Sequence, residues 1–209
     1  MNLFRTPFIL PWIYPTLLWK LPTREKEIYL TFDDRPVPDV TLEVLKELER
    51  TKAQATFFCI GDNVQKHPEV FQQIIEQKHA IGNHTFNHLK GWTTNTDAYV
   101  KNVKQCEDSF ILHGKSEGKL FRPPYGRITK NQIESLSQYT IVMWDVLTHD
   151  YNATLGQEYI LRKSIEATRP GSIIVFHDSV KAYKNLSYVL PRYLDHFLNL
   201  GFEFKSLSG

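Results

Sequence analysis

The sequence predicts an α/β fold built on a parallel sheet, which an open sheet and a closed barrel satisfy equally. Three observations predict it. Apolar, β-rich runs alternate with amphipathic segments in about seven strand-plus-helix units of the ~25–30 residues a βα repeat needs. The strand runs are continuously apolar, as strands covered on both faces are. Acids, histidines and an arginine follow directly on those runs, where parallel α/β folds gather their chemistry on one rim.

The elements follow in order. Glu27 to Phe32 (EIYLTF) is β-branched and aromatic and reads as a strand. Asp39 to Arg50 carries Val40, Leu42, Val44, Leu45 and Leu48 at helical spacing. Ala55 to Ile60 is a second strand, stopped by Gly61. His67 to Gln77 is a helix with Pro68 in its first turn. Ala80 to Asn83 is a short strand. Thr96 to Leu112 is a long helix capped by Thr94, Asn95 or Thr96. A short strand over 119–122, a helix over 129–138 and a strand over Thr140 to Trp144 (TIVMW) come next. Gly156 to Thr168 is a helix closed by Pro170 and Gly171, Ser172 to Phe176 (SIIVF) a strand, Leu186 to Leu200 a helix, and Phe202 to Leu207 the last strand.

Composition narrows the function. At 209 residues the chain predicts one domain. With 42% hydrophobic and 23% charged residues it is a globular chain rather than a disordered one. Twenty-five basic against 23 acidic residues give a net charge of +2, which excludes nucleic-acid binding by bulk charge. Two cysteines, Cys59 and Cys106, cannot build a disulfide scaffold or a four-cysteine zinc site. Any metal must therefore sit on histidine and carboxylate.

The first 24 residues read as an arm packed on a domain that spans 25–209. Pro7 to Trp19 is apolar but shorter than the ~20 residues of a membrane span. Pro7, Pro11 and Pro15 punctuate it, and no Ala, Gly or Ser precedes Ala53 to mark a cleavage site. A retained membrane-surface anchor is the second reading. Localisation stays between the cytoplasm and association with the envelope.

The chemistry stands at strand ends. EIYLTF ends in Asp33–Asp34, AIGN in His84, the 119–122 strand in Arg122 and Pro-Pro-Tyr, TIVMW in Asp145 with Asp150 beyond, and SIIVF in His177–Asp178. Adjacent carboxylates point to opposite faces of a regular strand, so Asp33 and Asp34 share a site only where the strand ends or bends, and Pro36 supplies the break. One would bind a metal and the other accept a proton. Taken alone, the pair is an ordinary solvated turn. The four-residue spacing of His84 and His88 puts both rings on one side of a helical turn, within reach of one ion. Two histidines and one carboxylate leave positions open for water and substrate. His177, with Asp150 available, suits acid–base work. Arg122, held extended by Pro123, suits fixing a carboxylate. Trp92, Tyr125, Trp144 and Tyr151 offer aromatic walls, with Trp144 read as core because it lies in a strand. His67, His79, His113 and His196 read as surface residues. No GxGxxG motif occurs.

The ordered set TFDD (31–34), HTFNH (84–88), RPPY (122–125), Asp150–Tyr151 and VFH (175–177) resembles the polysaccharide deacetylases, the NodB-homology domain of carbohydrate esterase family 4. That resemblance implies a distorted (β/α) barrel of about seven strands. It implies a divalent metal on Asp34, His84 and His88, zinc first, with cobalt, nickel or manganese tolerated. It implies Asp33 as base, Tyr125 as backbone donor to the oxyanion, His177 as acid, Arg122 as tether of Asp33 and Asp150 as partner of His177. The activity implied is hydrolysis of N-acetyl groups on an N-acetylated glycan, releasing acetate. Tyr125, Tyr151, Trp92 and Arg35 are the substrate-facing candidates. Three positions depart from the family pattern: Arg35 replaces its usual Gly, Leu147 an Asp, and Tyr151 a Trp. Arg35 places a cation beside the metal ligands and points to weakened metal binding, a narrowed pocket or an anionic substrate. The alternatives are an impaired glycan-binding relative, a hydrolase of small non-sugar amides, and an iron-dependent oxygenase, which leaves Asp33, Arg122 and His177 without a role.

Overall fold

The computed structural model describes residues 3–115, 118–177 and 182–208; Asp178 lies outside them. Among the described residues eight strands form one sheet, and every pairing between them is parallel. β1 (Glu27–Arg35), β2 (Thr56–Cys59), β3 (Ala80–Asn83) and β4 (Leu120–Phe121) are followed by β5 (Thr140–Ile141), β6 (Val146–Leu147), β7 (Ile173–His177) and β8 (Glu203–Lys205). Seven run in the order β5-β4-β3-β2-β1-β7-β6. β8 pairs with β1 at Glu27–Tyr29, below the stretch that starts where Thr31 meets Thr56 of β2.

The apolar run at 140–144 is not one strand. The chain leaves the sheet after Ile141 and re-enters it at Val146, so β5 and β6, the two edges, are joined by residues 142–145 alone. That junction curls the sheet into a barrel. The N-terminal arm seals the junction. Leu18 donates to the Ile141 carbonyl at 2.9 Å and accepts from Met143 N–H at 2.7 Å. On the other side Thr6 donates to the Asp145 carbonyl at 2.8 Å, and Leu147 N–H to the Phe4 carbonyl at 2.9 Å. Exposed edge groups, costly to leave unpaired, thereby find partners. Phe4 joins the main core, and Leu17 and Trp19 pack in a second cluster with Tyr99, Phe121 and Met143.

The helices are α1 (Ile9–Ile13), α2 (Val40–Thr51), α3 (Gly61–Lys66), α4 (Pro68–Glu76), α5 (Thr96–Leu112), α6 (Lys130–Ser135), α7 (Gln157–Ala167) and α8 (Tyr183–Asn199). α3 lacks a long apolar period and has no counterpart in the sequence reading. Asn95 caps α5, accepting from Asp97 N–H at 2.9 Å. Thr129 and Gln132 cap α6 reciprocally. Phe32 on the central strand stacks on Phe57 at 5.1 Å and on Phe176 at 5.9 Å. These rings fasten β2, β1 and β7, the strands that carry most of the chemistry.

Candidate active site

β1 bends where its acids lie. Its register with β2 shifts between Phe32 and Arg35, and Asp34 has a φ of 68°. This left-handed residue undoes the alternation that would send neighbouring carboxylates to opposite faces. Asp33 stands opposite His177 in the β1–β7 register, so the two side chains leave the sheet together. The chain after β3 is irregular rather than helical, with Thr85 at φ 65° and His88 at φ 60°. The His84 and His88 rings nevertheless lie 5.1 Å apart. Asn83 and Asn102 hold this loop, accepting from Thr85 N–H and Phe86 N–H at 2.9 Å each. Neither asparagine had a sequence signal of its own. So many left-handed non-glycine residues around one cleft mark backbone strain retained for function.

Asp34, His84 and His88 each offer one donor atom, all within 4.8 Å of one another. Asp34 Oδ1 is buried and receives no aligned hydrogen bond, 3.1 Å from His88 Nε2 and 3.6 Å from His84 Nε2. His84 Nδ1 lies 2.8 Å from the Arg122 carbonyl, which can only accept. That contact puts the proton on Nδ1 and leaves Nε2 its lone pair. Burial lowers the His84 pKa, which favours the neutral form a ligand needs. Burial pushes the Asp34 carboxyl up, but the neighbouring His88, His84 and His177 outweigh it and hold it well below the usual carboxylate range. An under-bonded carboxylate oxygen facing two imidazole nitrogens fits a divalent cation.

Two further pairs flank these donors. Arg122 is fully buried and donates from Nη1 to Asp33 and to Thr31 at 2.7 Å each. Its Nη2 reaches the Met143 carbonyl at 2.8 Å, and its guanidinium stacks on Phe58 at 4.1 Å. His177 Nδ1 lies 3.0 Å from Asp150 Oδ1, and Asp150 Oδ2 accepts from His177 N–H at 2.8 Å. Thr148 donates to the same carboxylate at 2.9 Å. Burial lowers the His177 pKa, but Asp150 outweighs it and the net shift is upward. With Nδ1 engaged, Nε2 is the nitrogen left for proton transfer.

The pocket has a volume of about 410 Å³. Asp33, Asp34, His84, His88 and His177 line it, with Tyr125, Trp144, Leu147 and Tyr151 as walls. Tyr125 sits at φ 60° with its ring 4.6 Å from that of His88. The Tyr151 ring meets His177 edge-on at 4.7 Å. Its hydroxyl lies 3.2 Å from His149 Nδ1, while His149 Nε2 reaches the Leu3 carbonyl at 3.0 Å and ties the wall to the arm.

Five expectations need correction. Arg35 is not substrate-facing: its side chain is fully buried, 5.7 Å from the Phe32 ring, and does not line the pocket. Trp92 stands outside the pocket, in an adjoining groove of about 470 Å³, where Arg127 stacks on its ring. Trp144 is a pocket wall rather than core, because the strand at 140–141 ends before it. Asp145 is buried against Ser172 Oγ at 2.5 Å and does not join the site. His79 is buried, its Nδ1 accepting from Ala55 N–H, and burial lowers its pKa to about 4. Both cysteine thiols are buried and pushed up, so neither is a nucleophile.

Residues 20–144 match the family model of polysaccharide deacetylase. The chain is 34% identical to a peptidoglycan-N-acetylglucosamine deacetylase of Bacillus cereus, over 91% of this chain and 90% of that protein. It is 32% identical to a chitooligosaccharide deacetylase of Azorhizobium caulinodans, over 76% of this chain and 77% of that one. Against two further deacetylases the chain spans 58% and 38% of the relative's length. Its fold superposes with a TM-score of 0.89 on the crystal structure of the Bc1960 peptidoglycan N-acetylglucosamine deacetylase, at 29% identity, covering 97% of this chain and 95% of that one.

Proposed function

The chain belongs to the polysaccharide deacetylase family, and on that premise we propose that its site hydrolyses the N-acetyl groups of an N-acetylated glycan, releasing acetate and a free amino sugar. One observation carries the reading. A donor set of two histidines and a carboxylate, an arginine-held carboxylate and an aspartate-held histidine converge on one pocket. Among its relatives, those named for peptidoglycan and chitooligosaccharides point to N-acetylglucosamine units as the substrate class.

Asp34, His84 and His88 would hold a divalent cation, zinc being the first candidate for such a donor set. Bound there, it supplies Lewis-acid polarisation and a water of lowered pKa. The chain's own residues do the rest. Asp33 accepts the proton of the attacking water, and Arg122 keeps that carboxylate aimed. The Tyr125 N–H donates to the oxygen on which negative charge develops. His177 delivers the proton from Nε2 to the departing nitrogen as the C–N bond breaks, and Asp150 stabilises the protonated ring. Tyr125, Trp144 and Tyr151 offer aromatic faces to a sugar ring. The impaired-relative reading rested on Arg35, and Arg35 does not enter the pocket.

The test is acetate release from N-acetylglucosamine oligomers and peptidoglycan, with and without added divalent ion. Release by the wild type and its loss in Asp33→Asn are expected. No release from any N-acetylated glycan, with turnover of a small non-sugar amide, would replace the proposed substrate class.

A further inference from the structure

We propose that the outer face of the N-terminal arm docks on an anionic lipid bilayer. The arm has two apolar faces. Leu10 and Tyr14 turn inward and line the groove beside the pocket. Phe8, Ile9, Trp12 and Ile13 turn outward, at i,i+4 spacings that stack them into one patch. Phe8 is 89% exposed and Trp12 80% exposed, while Ile9 and Ile13 are about half exposed. Large apolar side chains bared side by side on a soluble fold mark an interaction surface.

Shape and charge select the occupant. Side chains this exposed stand proud of the body, so a partner must be concave or deformable, and the interfacial zone of a bilayer deforms around them. Tryptophan favours that zone, where its ring sits at headgroup level. Residues 3–24 carry Arg5, Lys20 and Arg24 and no acid, the first acid being Glu25. Of these cations Arg24 is exposed and Lys20 half-buried, whereas Arg5 lines the groove and donates to the Ala167 carbonyl. A basic, apolar, aromatic segment lying in the plane of the interface is the pattern of surface-bound proteins. Pro11 and Pro15 restrict the backbone, so little conformational freedom is lost on docking. The second possible occupant is another copy of the chain, and the test separates the two.

The full chain is mixed with vesicles of phosphatidylcholine containing phosphatidylglycerol, and with phosphatidylcholine alone, and sedimented. The variant carries Phe8→Ser, Trp12→Ser and Ile13→Ser together; none of these residues lines the pocket or the groove. Wild type is expected to sediment with the anionic vesicles, less so in high salt. The triple variant is expected to bind at least about tenfold more weakly, with unchanged circular dichroism and unchanged acetate release from soluble oligomers. Trp12→Phe alone is expected to keep most of the binding. Wild type left in the supernatant with every vesicle, or equal binding by the triple variant, overturns the proposal. So does a concentration-dependent dimer that the triple variant abolishes without vesicle binding. Acetate release is read separately, so failure here leaves the proposed activity standing.

Discussion

The guanidinium of Arg122 crosses the barrel from the end of β4 and meets the Asp33 carboxylate on β1 at 2.7 Å, with neither side chain more than slightly exposed. The same guanidinium holds the Met143 carbonyl in the junction between the two sheet edges. One residue therefore positions the proposed base and braces the place where the barrel closes.

Arg122→Ala strips partners from a buried carboxylate and from backbone carbonyls. It is expected to cost about 3–5 kcal/mol of stability and to abolish acetate release. Arg122→Lys restores a charge but not the fork that reaches Thr31, Asp33 and Met143 together. It is expected to keep the fold, with a lowered melting temperature, and to lose most of kcat. Wild-type kcat in Arg122→Lys would show that the base needs no rigid tether.

The His177–Asp150 pair sets a pH dependence. Asp150 raises the His177 pKa above its ordinary value of about 6.5. The ring thus stays protonated further into the alkaline range, as a general acid requires. In Asp150→Asn the alkaline limb of the kcat profile is expected to move to lower pH. The linked stability follows the same sign. It is fully present below the unfolded-state pKa and lost as pH rises through the raised folded-state value. Denaturant unfolding at several pH values should show this loss in the wild type and not in Asp150→Asn. An alkaline limb that stays in place would exclude His177 as the titrating acid.

Divalent ion should bind one per chain through Asp34, His84 and His88. Chelation is expected to remove acetate release, and zinc or cobalt to restore it. Calorimetric titration of His88→Ala should show affinity reduced by more than the roughly 10–100-fold that losing an outer-sphere partner costs. Equal affinity in His88→Ala would move the site elsewhere.

Gly126 carries the Trp144 wall. At φ 63°, an added Cβ would lie 2.5 Å from the Trp144 ring. Gly126→Ala is expected to displace that ring, raise KM on oligomers, and cost about 1–3 kcal/mol. Unchanged KM would remove Trp144 from the substrate wall.

His149 couples the arm to the pocket through the Leu3 carbonyl and the Tyr151 hydroxyl. His149→Ala leaves both short of a partner, at about 1–3 kcal/mol, and frees the ring that stands over His177. A rise in KM larger than the fall in kcat is expected, with Tyr151→Phe reproducing part of it. A loss of stability with both kinetic constants unchanged would make His149 structural only.

Much of the site was legible because its residues sit at strand ends, and strand runs announce themselves by local composition. Asp33, Asp34, His84, Arg122 and His177 all follow directly from that rule. Arg35 was misplaced because one residue past a bend the facing alternates unpredictably, and the bend at Asp34 turned it into the protein interior. Trp144 and Asp145 were misplaced because TIVMW reads as one apolar run, although the chain leaves the sheet after Ile141.

The sequence by itself determined the parallel α/β architecture, the order of the strands' chemistry and the residue types of the site, since periodicity and strand-end position are local properties. Only the tertiary structure decided how the barrel closes. That closure depends on hydrogen bonds such as Leu18 to Ile141 and Phe4 to Leu147, between segments more than a hundred residues apart. No pattern within either segment encodes its partner. The same long-range pairing brings His149 to the arm, lays Trp144 along the pocket and leaves Phe8 and Trp12 facing outward.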